Sequence, residues 1–137
     1  MVAIDGNNHV LGRLSSHIAK RLLNGEEIYL ANCESIIIVG NPASILNNYR
    51  ARRKLQNKGT PEYSPKWPKV PSLLVKRIIR GMVPWDRTRG KDAMRRLTVV
   101  VGNPKNMELS KVDSAKFNTD SKFMTVGSLC KELGYSR

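Results

Sequence analysis

Ile28-Tyr29-Leu30-Ala31, the turn Asn32-Cys33-Glu34-Ser35, and Ile36-Ile37-Ile38-Val39 form two short runs of consecutive apolar residues, each bounded by turn formers. A strand with one wet face alternates apolar and polar residues, whereas an unbroken apolar run implies burial on both faces, the habit of parallel sheets. Upstream, Val2 to Ile4 reads as another short strand. Leu11, Leu14, Ile18 and Leu22 then recur at spacings of three and four, which gives a helix with one apolar face. Gly25 stops that helix after Asn24, because a left-handed C-terminal position favours glycine. Downstream, Asn41-Pro42 is a cap followed by proline at the first helical position, and Ile45, Leu46 and Tyr49 form the apolar side of the helix that follows. Arg50 to Lys54 extend it as a basic stem.

From Asn57 to Pro71, four prolines and Gly59 forbid regular structure. Ser72 then caps a helix through Leu74, Val75, Ile78, Ile79 and Met82 that ends before Pro84. Leu97 to Val101 is the most strand-like run in the chain. After Gly102-Asn103-Pro104 the pattern loosens to about Ser121, and Thr125 caps a last short helix whose Leu129 and Leu133 face the core before Gly134. Strands alternating with helices predict a small α/β domain with helices on both faces of a mainly parallel sheet.

At 137 residues the chain fits one domain with a real core. Its apolar runs are too short to span a bilayer. Met-Val-Ala-Ile-Asp enters a strand at once, without the charged and apolar regions of a secretory signal, so the expected compartment is the cytosol. Cys33 and Cys130 have no Cys-x-x-Cys spacing and are expected to be free, buried thiols.

Charge is strongly segregated. Residues 50 to 96 hold fifteen basic side chains: Arg50, Arg52, Arg53, Lys54, Lys58, Lys66, Lys69, Lys76, Arg77, Arg80, Arg87, Arg89, Lys91, Arg95 and Arg96. Only Glu62, Asp86 and Asp92 oppose them, so +12 of the net +13 lies there. A merely solvated face mixes both signs to limit self-repulsion, and this stretch hardly does. A membrane-surface patch needs a long amphipathic basic helix, which Pro61, Pro65, Pro68 and Pro71 interrupt. The partner implied is a phosphate backbone, not a membrane. Arg50, Arg53 and Lys54 share one helical face, and Lys76, Arg77 and Arg80 share another, as a surface tracking a backbone requires. Trp67 and Trp85 sit in proline-flanked loops amid cations, where an indole either stacks on an unpaired base or covers the domain's edge.

Catalytic patterns are absent: there is no G-x-G-x-x-G, no G-x-x-x-x-G-K-S/T and no H-E-x-x-H. His9 and His17 read as surface or capping residues, and Asp5 near His9 has no accompanying nucleophile. Two histidines and two scattered thiols show no metal-ligand spacing. Gly6 and Gly12 flank the first strand-to-helix turn in a spacing that fits close packing and no nucleotide fingerprint. These residues predict no enzyme, cofactor, metal or small-molecule substrate.

Leu11-Gly12-Arg13-Leu14-Ser15-Ser16, Ile37-Ile38-Val39-Gly40-Asn41, Arg77-Ile78-Ile79-Arg80-Gly81-Met82-Val83-Pro84, Arg89-Gly90, Leu97-Thr98-Val99 and Gly102-Asn103-Pro104 occur in that order along nearly the whole chain. Together they resemble the family of ribosomal protein thirteen of the large subunit. The Arg-Gly-Met-x-Pro core with Arg-Gly a few residues later is its most specific part. Gly102-Asn103-Pro104-Lys105-Asn106, with no long basic tail after it, resembles the archaeal form.

The resemblance implies a three-layer α/β/α fold over residues 1–137, with a basic extended insert at about 57–71. It also implies a noncatalytic structural constituent of the large ribosomal subunit, in the cytoplasm, that binds ribosomal RNA beside neighbouring large-subunit proteins and supports assembly and translation. By motif position the RNA-facing residues are Arg77, Arg80, Gly81, Met82, Pro84, Arg87, Arg89 and Gly90, with Gly12 and Arg13 in the first turn. The basic segment adds Arg50, Arg52, Arg53, Lys54, Lys58, Lys66, Trp67, Lys69, Lys76, Trp85, Thr88, Lys91, Arg95 and Arg96. Trp85 departs from the family, many of whose members carry histidine or lysine there. Two other classes would use the same chain differently: a free-standing RNA or DNA regulator would bind a short isolated target, and a small α/β enzyme would show a concave site with titrating groups at the sheet's C-terminal edge.

Overall fold

A computed structural model describes residues 1–118 and 120–136. Strands β1 (Val2–Asp5), β2 (Ile28–Ala31) and β4 (Leu97–Val99) form a parallel sheet with β2 in the middle, in the register Val2 to Ile28 and Ile28 to Leu97. Ser110 lengthens the outer edge, giving its amide to Ala3 O at 3.0 Å and accepting from the Asp5 amide at 2.9 Å. Helix α1 (Leu11–Leu23) crosses from β1 to β2. Helices α2 (Pro42–Lys54), α3 (Pro71–Arg80) and α4 (Thr88–Arg95) all lie in the crossover from β2 to β4. Helix α5 (Val126–Glu132) closes the chain.

Burial explains the unbroken apolar run of β2, all four of whose residues are buried. Ile28 and Leu30, with Ile4 and Leu97, join Leu14, Ile18 and Leu22 of α1 and Leu74 and Ile79 of α3 in the main core. Ala3, Tyr29 and Ala31 face the other way and are closed over by Val100, Met107 and Leu109. Each large aliphatic side chain so enclosed contributes about 1.5–3 kcal/mol relative to exposure.

The expected caps are present. Asn41 Oδ1 accepts from the Ala43 amide at 3.2 Å, and Thr125 Oγ1 accepts from the Ser128 amide at 3.2 Å. Gly25 takes a φ of 95° after α1. Helix α3 differs: it starts at Pro71 with Val70 as its cap, because proline already satisfies the first helical position and Ser72 falls inside.

Three further departures are informative. The second apolar run does not enter the parallel sheet: β3 (Ile37–Val39) pairs antiparallel with β5 (Phe123–Thr125), and Val39 is 43 % exposed. A left-handed Asn32, φ 52°, and a short 3₁₀ turn over Cys33–Ser35 carry the chain out of the sheet before β3 begins. Helix α4 occupies a stretch whose cations hide the inward spacing of Gly90, Ala93, Met94 and Leu97. His9 is fully buried, not a surface residue. Its Nε2 accepts from the Val112 amide at 3.1 Å, which places the proton on Nδ1, donated to Asn7 O at 2.7 Å. The imidazole thus ties the chain after β4 to the turn after β1. Beside it, Gly6 is packed so closely that a Cβ would lie 2.8 Å from Asn32 O, which supports the packing role of that glycine.

Cys33 and Cys130 are free and buried. Burial pushes the Cys33 thiol up to about 12 and the Cys130 thiol up to about 11. A thiol whose folded value is raised adds stability below its unfolded value near 9.0, and that stability is lost as pH rises through 11 and 12. Iodoacetamide at pH 8 should therefore label neither thiol in the native protein and both in guanidinium, as read by intact mass. Rapid native labelling would mean that the core opens at these positions.

Candidate nucleic-acid interface

The basic residues are gathered by three helices whose apolar sides are buried in one core. Helix α2 buries Ile45 and Tyr49, which turns Arg50, Arg52 and Lys54 outward. Helix α3 buries Leu74, Val75 and Ile79, leaving Arg80 exposed and Lys76 and Arg77 half-exposed. Helix α4 buries Gly90, Ala93 and Met94, leaving Thr88, Arg89, Lys91 and Arg95 outside.

Trp67 joins the first two helices. Its ring meets Tyr49 edge to face at 5.8 Å, with Arg52 4.9 Å and Arg77 4.4 Å from its centroid. The negative face of an indole offsets part of the repulsion between two guanidinium groups, each such contact being worth about 0.5–2 kcal/mol. Arg77 also donates to Lys66 O at 2.5 Å, and its burial, reinforced by Arg80, holds its pKa below the usual guanidinium value. The half-buried Trp67 therefore covers the domain's edge and pins the proline-rich insert to α2 and α3. Trp85 is different: it is 40 % exposed, with Arg80 5.2 Å from its ring centroid.

Between α3 and α4 lies an open cleft of about 660 Å³ with Trp67 and Trp85 on its walls. Lys66, Lys76, Arg77, Arg80, Lys91 and Arg95 supply its charge, and among the described residues no carboxylate lines it. A second hollow, along the insert, shares Lys66 and Trp67 with the first and includes Lys58. A third, at the ends of α2 and α5, shares Arg53 with the second and includes Arg50, Lys54 and Lys69. Eleven of the segment's fifteen cations thus line three adjoining hollows, with Glu132 in the third, while Arg52, Arg87, Arg89 and Arg96 lie outside them. Arg13 and Gly12, exposed on the first turn of α1, line none of these hollows.

Some cations are engaged inside the protein. Arg53 donates to Leu133 O at 3.2 Å, Arg96 to Leu22 O at 3.1 Å and Arg89 to Leu23 O at 3.4 Å. All three point at the carbonyl ends of α5 or α1, where the helix dipole favours positive charge. Arg50 lies 3.8 Å from Glu132, and Arg95 lies 3.1 Å from Asp92. These exposed pairs hold their arginines only weakly.

The turn between α3 and α4 is built from the Arg-Gly-Met-x-Pro motif. Gly81 caps α3, the side chain of Val83 is buried as a peg, and Met82, Pro84 and Arg87 are exposed. Gly90 is buried: a Cβ there would lie 2.0 Å from Pro84 O, so its place in the motif is a close approach of α4 to this turn. Leu73 and Met94, which the charge pattern conceals, also line the cleft. Leu73 was detectable as an apolar residue, 53 % exposed, on the outer side of α3.

Among the described residues no cluster of three or more His, Cys, Asp or Glu suited to a metal ion occurs, and no helix is long and apolar enough to cross a membrane.

Residues 1–106 match the family described as Ribosomal protein L13. The chain is 41% identical over 135 residues to the large ribosomal subunit protein uL13 of Methanocaldococcus jannaschii, covering 98% of each. It is 42% identical over 140 residues to the protein of that name from Methanosarcina barkeri, again covering 98% of each. Against the Archaeoglobus fulgidus protein it is 39% identical over 138 residues, covering 96% of this chain and 86% of the relative. With motif order, fold and near end-to-end similarity in agreement, the chain belongs to the ribosomal protein L13 family.

Proposed function

We propose that the cationic hollows along α2, α3 and α4 hold ribosomal RNA of the large subunit by its phosphates, while the nearly neutral remainder of the surface meets neighbouring large-subunit proteins. As a member of its family the chain is a structural constituent of the large ribosomal subunit, in the cytoplasm, and not an enzyme. The observation that carries the RNA reading is the gathering of +12 of a net +13 into residues 50–96, eleven of whose fifteen cations line three adjoining hollows. Phosphate contacts position such a protein on its RNA without reading sequence. The 57–71 insert, anchored at Trp67, orders its outer part against that RNA.

Co-sedimentation with large subunits in a sucrose gradient tests the placement. A chain that stays at the top of the gradient, or binds a short isolated RNA in preference to the subunit, would favour a free-standing regulator.

The arginines beside the α3–α4 turn should matter more than lysines elsewhere. Arg80, Arg87 and Arg89 are exposed around a turn stiffened by Pro84, so ordering them costs little. Lys111, Lys116 and Lys122 lie outside the face, and Lys116 is already 2.5 Å from Asp113. Single changes of Arg80 or Arg87 to Ala should each cost about 1–3 kcal/mol of RNA binding and lower the salt slope by about one. Replacing Arg89, which already donates to Leu23 O at 3.4 Å, should cost less and change the slope less. Equal losses from both sets in filter binding would show that total charge alone determines affinity.

A further inference from the structure

We infer that the α3–α4 cleft is a seat for one unpaired nucleotide, whose base stacks on Trp85 over an apolar floor while its phosphates lie on the cationic rim. The inference rests on the RNA-binding reading and specifies what this part of the face accepts.

Phosphate binding alone does not require what the cleft contains. Leu73 is 53 % exposed and Trp85 40 % exposed, and they open into the same cleft as Met94, in the middle of the most cationic part of the molecule. Apolar surface kept open among charges marks a place where something apolar binds. The same occupant must be anionic, because Lys76, Arg80 and Lys91 surround it and, among the described residues, no acidic side chain lines the cleft. A nucleotide combines a flat apolar face with a phosphate. In a helix its bases are stacked on one another, so only an extruded or single-stranded residue can present that face.

The two tryptophans are not equivalent here. Trp67 is committed to Tyr49, Arg52 and Arg77. Among the described residues Trp85 has no aromatic partner and one cation–π partner, the exposed guanidinium of Arg80, which is long enough to leave the ring for a phosphate. The cleft volume, about 660 Å³, lies within the range of roughly 300–1,000 Å³ typical of small-ligand sites. A duplex would ride over such a hollow without filling it.

The test uses the full chain and two RNAs of nearly matched phosphate number: an unstructured single strand and a blunt duplex of half its length, long enough to stay paired. Tryptophan fluorescence should be quenched by the single strand and unchanged by the duplex, although both bind. Trp85→Ala should weaken the single strand by about 5- to 100-fold, the effect of removing one base stack. It should leave the duplex affinity and its salt slope unchanged. Trp85→Phe should keep most of the single-strand affinity. Because Trp85 is partly exposed, circular dichroism should be native for both variants. Equal weakening of both RNAs by Trp85→Ala, or none of either, would overturn the seat while leaving phosphate binding intact. Quenching by an acidic leucine-containing peptide but not by the single strand would also overturn it, in favour of a protein occupant. Failure of the wild-type chain to bind either RNA would instead refute the reading on which the inference rests.

Discussion

Raising monovalent salt from about 50 to 200 mM should weaken binding to large-subunit RNA by about three to five decades. The magnitude follows from which cations are available. Lys54, Lys58, Lys66, Lys69, Lys76, Arg80, Arg87 and Lys91 reach the surface, and among the described residues these eight have no hydrogen bond or ion pair through their side chains. If each neutralises one phosphate and releases one counterion, log K falls against log salt with a slope of about −7. Arg53, Arg89 and Arg96 contribute less, since each already serves a carbonyl inside the protein. Titrations at several salt concentrations decide the matter. A slope shallower than about −2 would mean that most of this face stays solvated in the complex.

Gly90→Ala should be the most damaging single methyl that can be added to this face. The new Cβ would meet Pro84 O at 2.0 Å, Pro84 C at 2.4 Å and the Trp85 amide nitrogen at 2.9 Å. All three are backbone atoms of a proline-stiffened turn, so no side chain can swing aside and α4 itself must move. The cost should be about 3 kcal/mol, the upper end of overpacking, or roughly 10 °C in melting temperature for a domain of this size. RNA binding should weaken as well, because the shift displaces Trp85 and Arg87 together. Gly12→Ala is the matched control: nothing lies within 4 Å of its added Cβ, and the position is exposed on α1. There alanine should stabilise by up to about 1 kcal/mol through helix propensity. Indistinguishable melting curves for Gly90→Ala and the wild type would show that the turn yields freely.

Helices α1 and α2 and strand β2 are legible in the sequence because strong local signals mark each: an apolar period and a glycine stop for α1, an Asn-Pro cap and an apolar side for α2, and an unbroken apolar run for β2. The destination of Ile36–Val39 is not, since an apolar run looks alike in a sheet interior and in a half-exposed hairpin, and its partner β5 lies far along the chain. Helix α4 escapes notice because its inward side is made of a glycine, an alanine and a methionine among cations, a weak apolar stripe. His9 is misread for a similar reason: the amide that satisfies its buried Nε2 belongs to Val112, far along the chain, which no local pattern announces. Of the site, the total charge is plain in the composition, but not its division. Whether an arginine faces solvent or a helix end depends on carbonyls such as Leu22 and Leu133, brought near only by folding.

The crossover from β2 to β4 carries the whole cationic face, and it begins and ends on adjacent strands, with Ile28 paired to Leu97. A chain emerging from synthesis therefore releases fifteen positive charges before the strand that closes the loop is available. Until β4 docks, that stretch lacks the strand that closes it onto the sheet, and its charges can attach to any nucleic acid nearby. Closure of the sheet turns adhesiveness into a defined surface, and long-range parallel pairing of this kind is slow. The interval between those events is when the newborn protein most needs shielding from the RNA that surrounds it.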